Sequence, residues 1–310
     1  MGILCIDVGG SFLKHTVLDD ELDIKKVSSA VTPRNDLNSF LREIRKIYDR
    51  YQGISGIAVS IPGIIDTERG FMYTGGSLDY IRDIPMAETI SELCDGLPVS
   101  IENDAKAAAW GEYLAGAGRC SRSMTAVTLG TGVGGGIILN GRILEGDNGA
   151  AGELGHMVIH QNGHPCTCGR KGCLEAYASA TALVSRAREA MERSDESMLW
   201  SLCKGDLSGV NGRMIFEASE KGDSTACEVL DGFMEDLSEG IANIINILQP
   251  EILCIGGGLS GAGEALLAPV KEKTAPKIYS RASQKNTRIR LAEMGNGAGI
   301  IGAACLNEQR

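Results

Sequence analysis

The sequence is poor in aromatic residues, positive charge and long apolar runs, and each shortage excludes a class of protein. Aromatic residues make up only 5% of the chain, so rings for stacking on ligands are scarce. Lysine and arginine number 30 against 40 aspartates and glutamates, and the net charge of −10 argues against a nucleic-acid partner. No apolar run approaches the ~18 residues that a membrane-spanning helix needs. Nothing at the N-terminus resembles a signal peptide, so we expect a cytoplasmic protein without a membrane partner.

Two common nucleotide-binding motifs are also missing. No G-x-x-x-x-G-K-S/T string occurs, so the chain has no Walker loop. The string GTGVGG at 130–135 satisfies the dinucleotide-binding pattern literally, but that pattern must open a helix. Here IIL, an Asn-Gly turn and RIL follow, which is typical of a β-hairpin. We therefore expect a glycine turn between two strands and no dinucleotide site.

Glycine is abundant instead, with 41 residues, and three glycine-rich turns follow predicted strands. The first turn is GGS at 9–11, between strands at 3–7 and 14–18, and the second lies within a hairpin at 124–144. Backbone N–H groups at such turns can converge on phosphate oxygens. The third, at 256–258, leads from a strand toward a helix, which suits a nucleotide base or ribose. The likeness of the first two turns, ~120 residues apart, suggests two related half-domains facing one another across a cleft.

Other stretches have helical or strand patterns. A buried strand is predicted at 54–63, closed by a Pro-Gly turn, and a strand leading into an alanine-rich helix at 98–116. Apolar residues at helical spacing predict helices over 36–50, 180–203 and 212–249, the last ending at Gln249-Pro250. A final small-residue helix is predicted from 295 onward.

Asn103 and Asp104 stand where the strand at 98–103 meets its helix. Asparagine and aspartate are good helix N-caps, so a structural role alone would explain them. The carboxyl end of a strand that feeds a helix is also where α/β folds place their chemistry. Both roles can hold together, and we favour a functional Asp104.

The segment 152–175 concentrates residues that ligate metals. It contains three of the ten cysteines and three of the four histidines: Cys166, Cys168, Cys173, His156, His160 and His164. A disulfide framework does not fit a reduced compartment, and the Cys-x-Cys spacing differs from a redox Cys-x-x-Cys pair. Three thiolates with one imidazole form a closed tetrahedral zinc site. We expect His156 as the fourth ligand, with His164 as the alternative. Glu153 and Glu175 bracket this loop.

In this order, six motifs resemble the ROK family (repressors, uncharacterised frames and kinases) of the actin-like ATPase and sugar-kinase superfamily. The motifs are DVGGS (7–11), ENDAKAAAWGE (102–112), LGTGVGGG (129–136), GELGH (152–156), CTCGRKGC (166–173) and GGGLS (256–260). The resemblance implies an α/β protein with two actin-like (ribonuclease H-like) domains that flank a cleft, and with a zinc-stapled loop at 152–175. We expect an N-terminal domain at 1–116, a larger domain at 117–297, and a C-terminal helix at 298–310 that packs back on the first.

The resemblance also implies a role for each matching residue. Asp104 would be the catalytic base, and Asp7 would orient the waters of Mg²⁺. The ATP phosphates would be held by Gly9, Gly10, Ser11, Gly130, Thr131 and Gly132, and the adenosine would lie near Gly256, Gly257 and Gly258. The sugar would be bound by Asn103, Asp104, Glu153, His156, Glu175 and Gly63. The structural zinc would be held by His156, Cys166, Cys168 and Cys173, so His156 would serve both metal and sugar.

The implied activity is ATP-dependent phosphorylation of a hexose, most simply glucose at its 6-hydroxyl, by a homodimer. Alternatives within the family are N-acetylmannosamine, fructose and β-glucoside kinases, and a non-catalytic sugar sensor. A DNA-binding repressor is disfavoured by the net charge. Two departures from the family's pattern bear on the sugar. Lys106 stands where many relatives carry asparagine, and TGGSLDYIRDIP at 74–85 differs from the Asn-Leu pattern of its glucokinases. We expect Lys106 to point away from Asp104.

Overall fold

In the computed structural model, residues 2–19 and 27–305 are described, and the chain divides into two compact units. The first unit comprises Met1–Ser123, Gly136–Gly152 and Glu293–Arg310. The second comprises Met124–Gly135 and Glu153–Ala292. The architecture is α/β with mixed sheets.

The first part of the chain builds a five-stranded sheet and a small three-stranded sheet. The five-stranded sheet has the order β3-β2-β1-β4-β8, and the small one has β5-β6-β7. β1 pairs antiparallel with β2 and parallel with β4, as the predicted hairpin around Gly9–Ser11 requires. The elements are β1 Gly2–Val8, β2 Phe12–Leu18, β3 Ser28–Val31, α1 Leu37–Tyr48, β4 Ile54–Ile61, β5 Ile64–Asp66, β6 Phe71–Thr74, β7 Arg82–Ile84, α2 Met86–Leu93, β8 Val99–Asn103 and α3 Asp104–Ala115.

The rest of the chain adds a second five-stranded sheet, with the order β11-β10-β9-β12-β13. Counted along the chain, both sheets follow the order 3-2-1-4-5, which agrees with the repeat inferred from the glycine turns. The elements are β9 Ser123–Leu129, β10 Val133–Leu139, β11 Arg142–Ile143, α4 Glu175–Ala178, α5 Ala180–Met191, α6 Leu199–Leu202, α7 Gly212–Glu220, α8 Ser224–Leu248, β12 Ile252–Gly256, α9 Glu264–Thr274, β13 Arg288–Leu291 and α10 Ala298–Ala304. Short 3₁₀ helices lie at Leu154–His156, Leu207–Gly209, Gly258–Ala262, Ala275–Lys277 and Gly295–Gly297.

Each unit has its own apolar core. In the first unit, Leu4 and Ile6 of β1 pack with Phe40 and Ile44 of α1, and all four are fully buried. In the second unit, the long helix α8 buries Phe233 and further apolar residues against the sheet. Burial of this kind contributes about 25 cal/mol per Å² of apolar surface removed from water.

The hairpin at 124–144 has the predicted form. β9 leads through the glycine turn into β10, and no helix intervenes. Asn140 and Gly141 then form the turn into β11, with φ angles of 52° and 76°. Positive φ at both central residues is what a type I′ hairpin turn requires. The GTGVGG string is therefore not a dinucleotide motif in this chain.

Two predicted helices are wrong in their extent. The stretch 180–203 contains α5 and the single turn α6, and residues 192–198 between them are not helical. The stretch 212–249 is broken after Glu220, because Gly222 takes a φ of +83° and Asp223 caps α8 by accepting from Ala226 N. Capping side chains and left-handed glycines end helices where apolar spacing alone continues. The predicted end of the second stretch is right, since Gln249 adopts the left-handed conformation before Pro250.

The observed units differ from the expected boundaries at 117–123, 136–152 and 293–297, all of which belong to the first unit. Two contacts explain the difference. A Cβ on Gly136 would lie 2.3 Å from that of Ala109, so β10 lies directly against α3 there. The buried Glu112 carboxylate accepts the backbone N–H groups of Glu293 (3.0 Å) and Met294 (2.7 Å). These long-range contacts cannot be read from local sequence.

The C-terminal helix α10 packs against α3 and β1 within the first unit. Glycines make the close approach possible: a Cβ on Gly111 would lie 2.1 Å from the Ala298 carbonyl oxygen, and one on Gly302 would lie 1.7 Å from that of Ala107. The predicted helix at 298–310 ends at Ala304, and residues 306–310 lie outside the described part. None of the helices within residues 2–19 and 27–305 has the length and apolarity to cross a membrane.

Candidate active site and metal centre

The first glycine turn joins β1 to β2, and its carbonyl groups are occupied by side chains that follow β3. Thr32 donates from Oγ1 to the Gly9 carbonyl (2.7 Å) and from its backbone N–H to the Ser11 carbonyl (3.0 Å). Arg34 donates from Nε to the Gly10 carbonyl (2.9 Å). Within the part of the chain that the structure describes, the amides of Gly10 and Ser11 donate to no backbone or side-chain group. Such amides are suited to bind an anion.

Sequence reasoning missed Thr32 and Arg34. They reach the turn because β2 pairs antiparallel with β3, which brings Val31 opposite Phe12. The only available signal was polar residues at the end of a short strand, and its pairing partner was not predictable.

Asp7 lies at the end of β1 and is partly buried. Ser60 on β4 donates its hydroxyl to Asp7 Oδ1 (2.6 Å). Gly299 of α10 approaches the same carboxylate, since a Cβ there would lie 3.0 Å from Oδ1. Burial raises the pKa of Asp7, and the hydrogen bond from Ser60 and the charge of Lys14 partly oppose it. Asp7 is thus held by three elements of the first unit.

The second glycine turn, Gly130–Gly132, is attached to the start of α5. Ala180 donates its N–H to the Gly130 carbonyl (2.8 Å), and Thr181 donates its hydroxyl to the Thr131 carbonyl (2.8 Å). A Cβ on Gly130 would have no neighbour within 4 Å, so this side of the turn is open.

Gly132 has a different environment from Gly130. A Cβ on Gly132 would lie 2.3 Å from Glu175 Oε2, and that oxygen accepts the N–H of Val133 (3.0 Å). The second glycine turn and the carboxylate predicted to bind sugar are therefore in direct contact. A side chain at position 132 would therefore displace the Glu175 carboxylate, whatever lies on the other side of the turn.

The third glycine turn borders a cavity in the second unit. Gly257 has a φ of +81°, and a Cβ there would lie 2.5 Å from Leu129 N, so only glycine fits. The adjoining cavity has a volume of about 610 Å³, which is in the usual range for small-molecule pockets. It is lined by Gly258, Leu259, Gly261, Ala262 and, from α7, Gly212, Arg213, Phe216, Glu217 and Glu220. Sequence reasoning missed the α7 residues, because α7 and the turn are distant in sequence.

Asn103 and Gly63 are in contact within the first unit. Asn103 caps α3 by accepting from the N–H groups of Ala105 (3.0 Å) and Lys106 (3.1 Å) through Oδ1. Its Nδ2 donates to the Gly63 carbonyl (3.0 Å), so one hydrogen of this amide is left for another acceptor. Gly63 needs to be glycine, because its φ is +128° and a Cβ would lie 1.9 Å from the Thr74 carbonyl oxygen.

Asp104 is the first residue of α3 and directly follows the cap. Its Oδ1 accepts the N–H of Ala105 (2.9 Å). The N-cap role foreseen for the pair therefore belongs to Asn103, while the Asp104 carboxylate lies in the first turn. This placement holds the carboxylate at a defined helix terminus.

The metal-ligating side chains predicted from the sequence converge. The ligand atoms of His156, Cys166, Cys168 and Cys173 all lie within 4.8 Å of one another. A tetrahedral zinc with Zn–S bonds of ~2.3 Å and Zn–N of ~2.0 Å separates two sulfurs by about 3.8 Å and a sulfur from a nitrogen by about 3.5 Å. The sulfurs of Cys168 and Cys173 are 3.7 Å apart, and Cys166 Sγ is 3.5 Å from His156 Nδ1. The donor set and its spacing fit such an ion.

His164 does not belong to this cluster. Its ring lies against Tyr177, with 4.9 Å between the ring centroids, and its backbone N–H donates to the Tyr177 hydroxyl (2.6 Å). His160 also contacts the Tyr177 ring and pairs with Asp236 (2.7 Å). The described geometry therefore assigns His156, as favoured from the sequence, to the group of possible ligands.

Glu153 and Glu175 both contact the metal cluster. His156 Nε2 lies 3.9 Å from Glu153 Oε2, on the opposite side of the ring from the Nδ1 atom that approaches Cys166. Glu175 Oε1 accepts from the Thr167 hydroxyl (3.1 Å) and lies 3.6 Å from Cys166 Sγ. In the second unit, the structure thus brings together the cysteines, His156, both glutamates and the second glycine turn. In the first unit it joins Gly63, Asn103 and Asp104.

Comparisons with known proteins identify the family of the chain. The model of the ROK family matches residues 3–310. A glucokinase of Halalkalibacterium halodurans is 37% identical, over 98% of this chain and 94% of that protein. An N-acetylmannosamine kinase of Citrobacter koseri is 32% identical, over 99% and 98% of the two chains. The crystal structure of a ROK family glucokinase from Streptomyces griseus, in complex with glucose and AMPPNP, superimposes with a TM-score of 0.90 at 30% identity over the whole of both chains. The chain therefore belongs to the ROK family.

Proposed function

We propose that this protein is an ATP-dependent hexose kinase that phosphorylates glucose at its 6-hydroxyl. The observation that carries the proposal is the Asn103–Asp104 pair at the start of α3, in a chain that matches a glucose-bound ROK glucokinase over its full length. A carboxylate at a fixed helix terminus suits a general base, and the neighbouring amide suits a sugar hydroxyl.

The glycine turn of each unit, taken by itself, is suited to bind phosphate oxygens of ATP through backbone amides. Gly10 and Ser11 present N–H groups that no described group accepts, and the open face of Gly130 allows close approach. Asp7 would hold Mg²⁺ through its waters, and the ion would supply charge neutralisation at the phosphates. The cavity between α7 and the third glycine turn holds the adenosine, with Phe216 as the aromatic wall.

The sugar hydroxyls bind to Asn103, Glu153, His156 and Glu175, with the backbone of Gly63 nearby. The 6-hydroxyl oxygen attacks the γ-phosphorus and the bond from phosphorus to the β-phosphate oxygen breaks. The hydroxyl proton passes to the Asp104 carboxylate, and ADP leaves. Positioning and charge neutralisation supply most of the acceleration in such transfers.

His156, Cys166, Cys168 and Cys173 would hold a structural zinc, which would take no part in the transfer. It would shape the loop between Glu153 and Glu175 and fix the tautomer of His156. Through Nδ1 on the metal, the imidazole keeps Nε2–H for a sugar hydroxyl or for Glu153. One histidine would thereby serve both the metal and the sugar. The two units would be actin-like (ribonuclease H-like) domains, which the shared strand order supports.

The second candidate is an N-acetylmannosamine kinase, because a kinase of that name is among the relatives. The residues at 74–85, which depart from the glucokinase pattern, lie against Gly63: a Cβ on Gly63 would meet the Thr74 carbonyl and Gly75. A change in that segment therefore bears on the sugar that fits.

A coupled assay of ADP release with MgATP, run over glucose, mannose, fructose, N-acetylmannosamine and β-glucosides, tests the proposal. We expect the highest kcat/KM with glucose. Preference for N-acetylmannosamine would establish the second candidate, and absence of turnover with every sugar would refute the kinase. We also propose a homodimer, for which sedimentation equilibrium should give twice the 32.8 kDa chain mass.

A further inference from the structure

A lysine is buried beneath the first turn of α3. The Lys106 side chain is only 4% exposed, and its Nζ donates to Glu145 Oε2 (2.7 Å) and to the Gly149 carbonyl (2.9 Å). Lys106 was expected to point away from Asp104, and its Nζ indeed bonds to Glu145 and Gly149. Burying an ammonium group is costly unless it is paired and hydrogen-bonded, and here both conditions are met.

A buried glutamate, Glu102, lies near this ion pair and forms a cluster with Lys106 and Glu145. Glu102 is 2% exposed, and its Oε1 accepts the N–H of Asn103 (2.7 Å). Burial and the nearby Glu145 raise the pKa of Glu102 to about 8, although the charge of Lys106 opposes them. Burial therefore favours the neutral form of Glu102 beside the Lys106–Glu145 ion pair.

The cluster connects the two parts of the chain that lead to the proposed sugar ligands. On one side, Lys106 and Glu102 flank Asn103 and Asp104 in sequence, and Glu102 hydrogen-bonds the Asn103 backbone. On the other side, the segment 145–149 lies four residues before Glu153. That segment packs closely against β5, because a Cβ on Gly149 would lie 2.0 Å from the Ile65 carbonyl oxygen.

If the Lys106–Glu145 ion pair served stability alone, apolar residues would do as well at this position. Replacing a buried ion pair by apolar residues of similar volume is often neutral or stabilising. A long, charged side chain offers instead three directed hydrogen bonds that fix the position of a backbone carbonyl and of a carboxylate together.

We propose that Lys106, through Glu145 and Gly149, is a positioning residue that fixes the start of α3 relative to the segment 145–149 and thereby sets the affinity for the sugar. The inference rests on the proposed kinase function and deepens it. Lys106 does not touch the substrate: it acts through the backbone of Asn103–Asp104 on one side and of the chain before Glu153 on the other. Among the described residues, no hydrogen bond or ion pair joins Lys106, Glu145 or Glu102 to the glycine turns at 9–11 and 130–132.

The test compares Lys106→Met, Glu145→Gln and the double variant by steady-state kinetics with MgATP and the preferred sugar. For Lys106→Met we expect the sugar KM to rise about tenfold or more, since small displacements of positioning groups cost that much, and the KM for ATP to stay unchanged. Glu145→Gln should have a smaller effect of the same sign. The double variant should be no worse than Lys106→Met, because both changes break one interaction.

Lys277→Met is the matched control, since Lys277 pairs with Glu235 and Glu239 in the second unit. It should lower thermal stability and leave the sugar KM unchanged. If Lys106→Met fails to fold, Lys106→Asn and Glu145→Gln give the same readouts. A sugar KM within about twofold of wild type in the folded variants, with only thermal stability lowered, would overturn the proposal. Failure of the kinase function itself is distinguishable, because the wild-type protein would then turn over no sugar.

Discussion

Asp104 illustrates how one residue position serves structure and chemistry. A helix-capping pair was foreseen at the start of α3, but the cap is Asn103, whose Oδ1 accepts two backbone N–H groups. The Asp104 carboxylate lies in the first turn, where its Oδ1 accepts the N–H of Ala105. Because Asn103 caps the helix, capping does not account for an aspartate at position 104.

Replacing Asp104 with Asn should abolish most turnover without unfolding the protein. The amide keeps the size of the carboxylate but cannot accept a proton, and general-base catalysis typically supplies ~10²–10⁴-fold in rate. We expect kcat to fall by that factor, with sugar affinity from calorimetry and the melting temperature little changed. A folded Asp104→Asn enzyme that turns over within a few-fold of wild type, about the scatter of such comparisons, would exclude Asp104 as the base.

Gly130 offers the cleanest test of phosphate binding at the second glycine turn. Its Cβ would meet no protein atom within 4 Å, whereas a Cβ on Gly132 would collide with Glu175. In Gly130→Ala, a higher KM for ATP with an unchanged sugar KM is therefore expected, because only a bound phosphate can clash. Gly132→Ala should instead impair both substrates. Equal ATP and sugar effects in Gly130→Ala would argue against a phosphate role.

Glu102 should make stability depend on pH. Its pKa is raised from 4.5 to about 8, so the folded state holds a proton that the unfolded chain loses. Between these values the folded state binds more protons, and stability falls as pH rises; below 4.5 and above about 8 the dependence vanishes. The melting temperature of wild type relative to Glu102→Gln should therefore decline across this window. A difference that stays constant with pH would contradict the raised pKa.

At the scale of elements, the loop 152–175 has little regular structure to hold it. Its isolated bridges join Val158 to Cys173 and Pro165 to Lys171. The four possible metal ligands lie within this loop, and Glu175 at its end contacts both Cys166 and the second glycine turn. The loop therefore places the cluster of His156 and the three cysteines next to the proposed sugar and phosphate sites of the second unit.

Cys168→Ser should release the metal and loosen this loop. Structural zinc contributes folding free energy directly, so we expect about one zinc per chain in the wild-type protein by elemental analysis and a marked drop in melting temperature in the variant. Cys120→Ser, an exposed cysteine outside the loop, is the matched control. Wild-type protein that is metal-free yet equally stable and active would refute the zinc site.

At the scale of the whole chain, the C-terminal residues return to the first unit. Glu112, at the end of the ENDAKAAAWGE motif, accepts the N–H groups of Glu293 and Met294, and α10 then packs on α3 through glycine contacts. The first unit is thus built from three separate stretches of sequence.

Gly302→Ala should weaken this return. The added methyl group would lie 1.7 Å from the Ala107 carbonyl oxygen, so α10 has to move away from α3. Overpacking of this kind typically costs about 1–3 kcal/mol, and urea denaturation should show at least that loss. Gly209→Ala, whose nearest neighbour would be 3.7 Å away, should be near wild type. Equal stability of the two variants would mean that the close contact is not needed.

The sequence alone determined the features that depend on local pattern. Alternating apolar strands, glycine turns and the spacing of Cys166, Cys168 and Cys173 predicted the two hairpins, the rejection of a dinucleotide motif and the group of metal ligands. Local signals work there because turn geometry and ligand spacing involve residues that are close in the chain.

Only the tertiary structure decided which distant groups meet. That His156 lies beside the three cysteines, that Glu175 occupies the space beside Gly132, and that Lys106 pairs with Glu145 all depend on contacts between segments that are separated in sequence. The unit boundaries follow the same rule, since residues of 136–152 and helix α10 contact α3. Packing of this kind is specified by the complementary shapes of two surfaces, and no single stretch of sequence contains both.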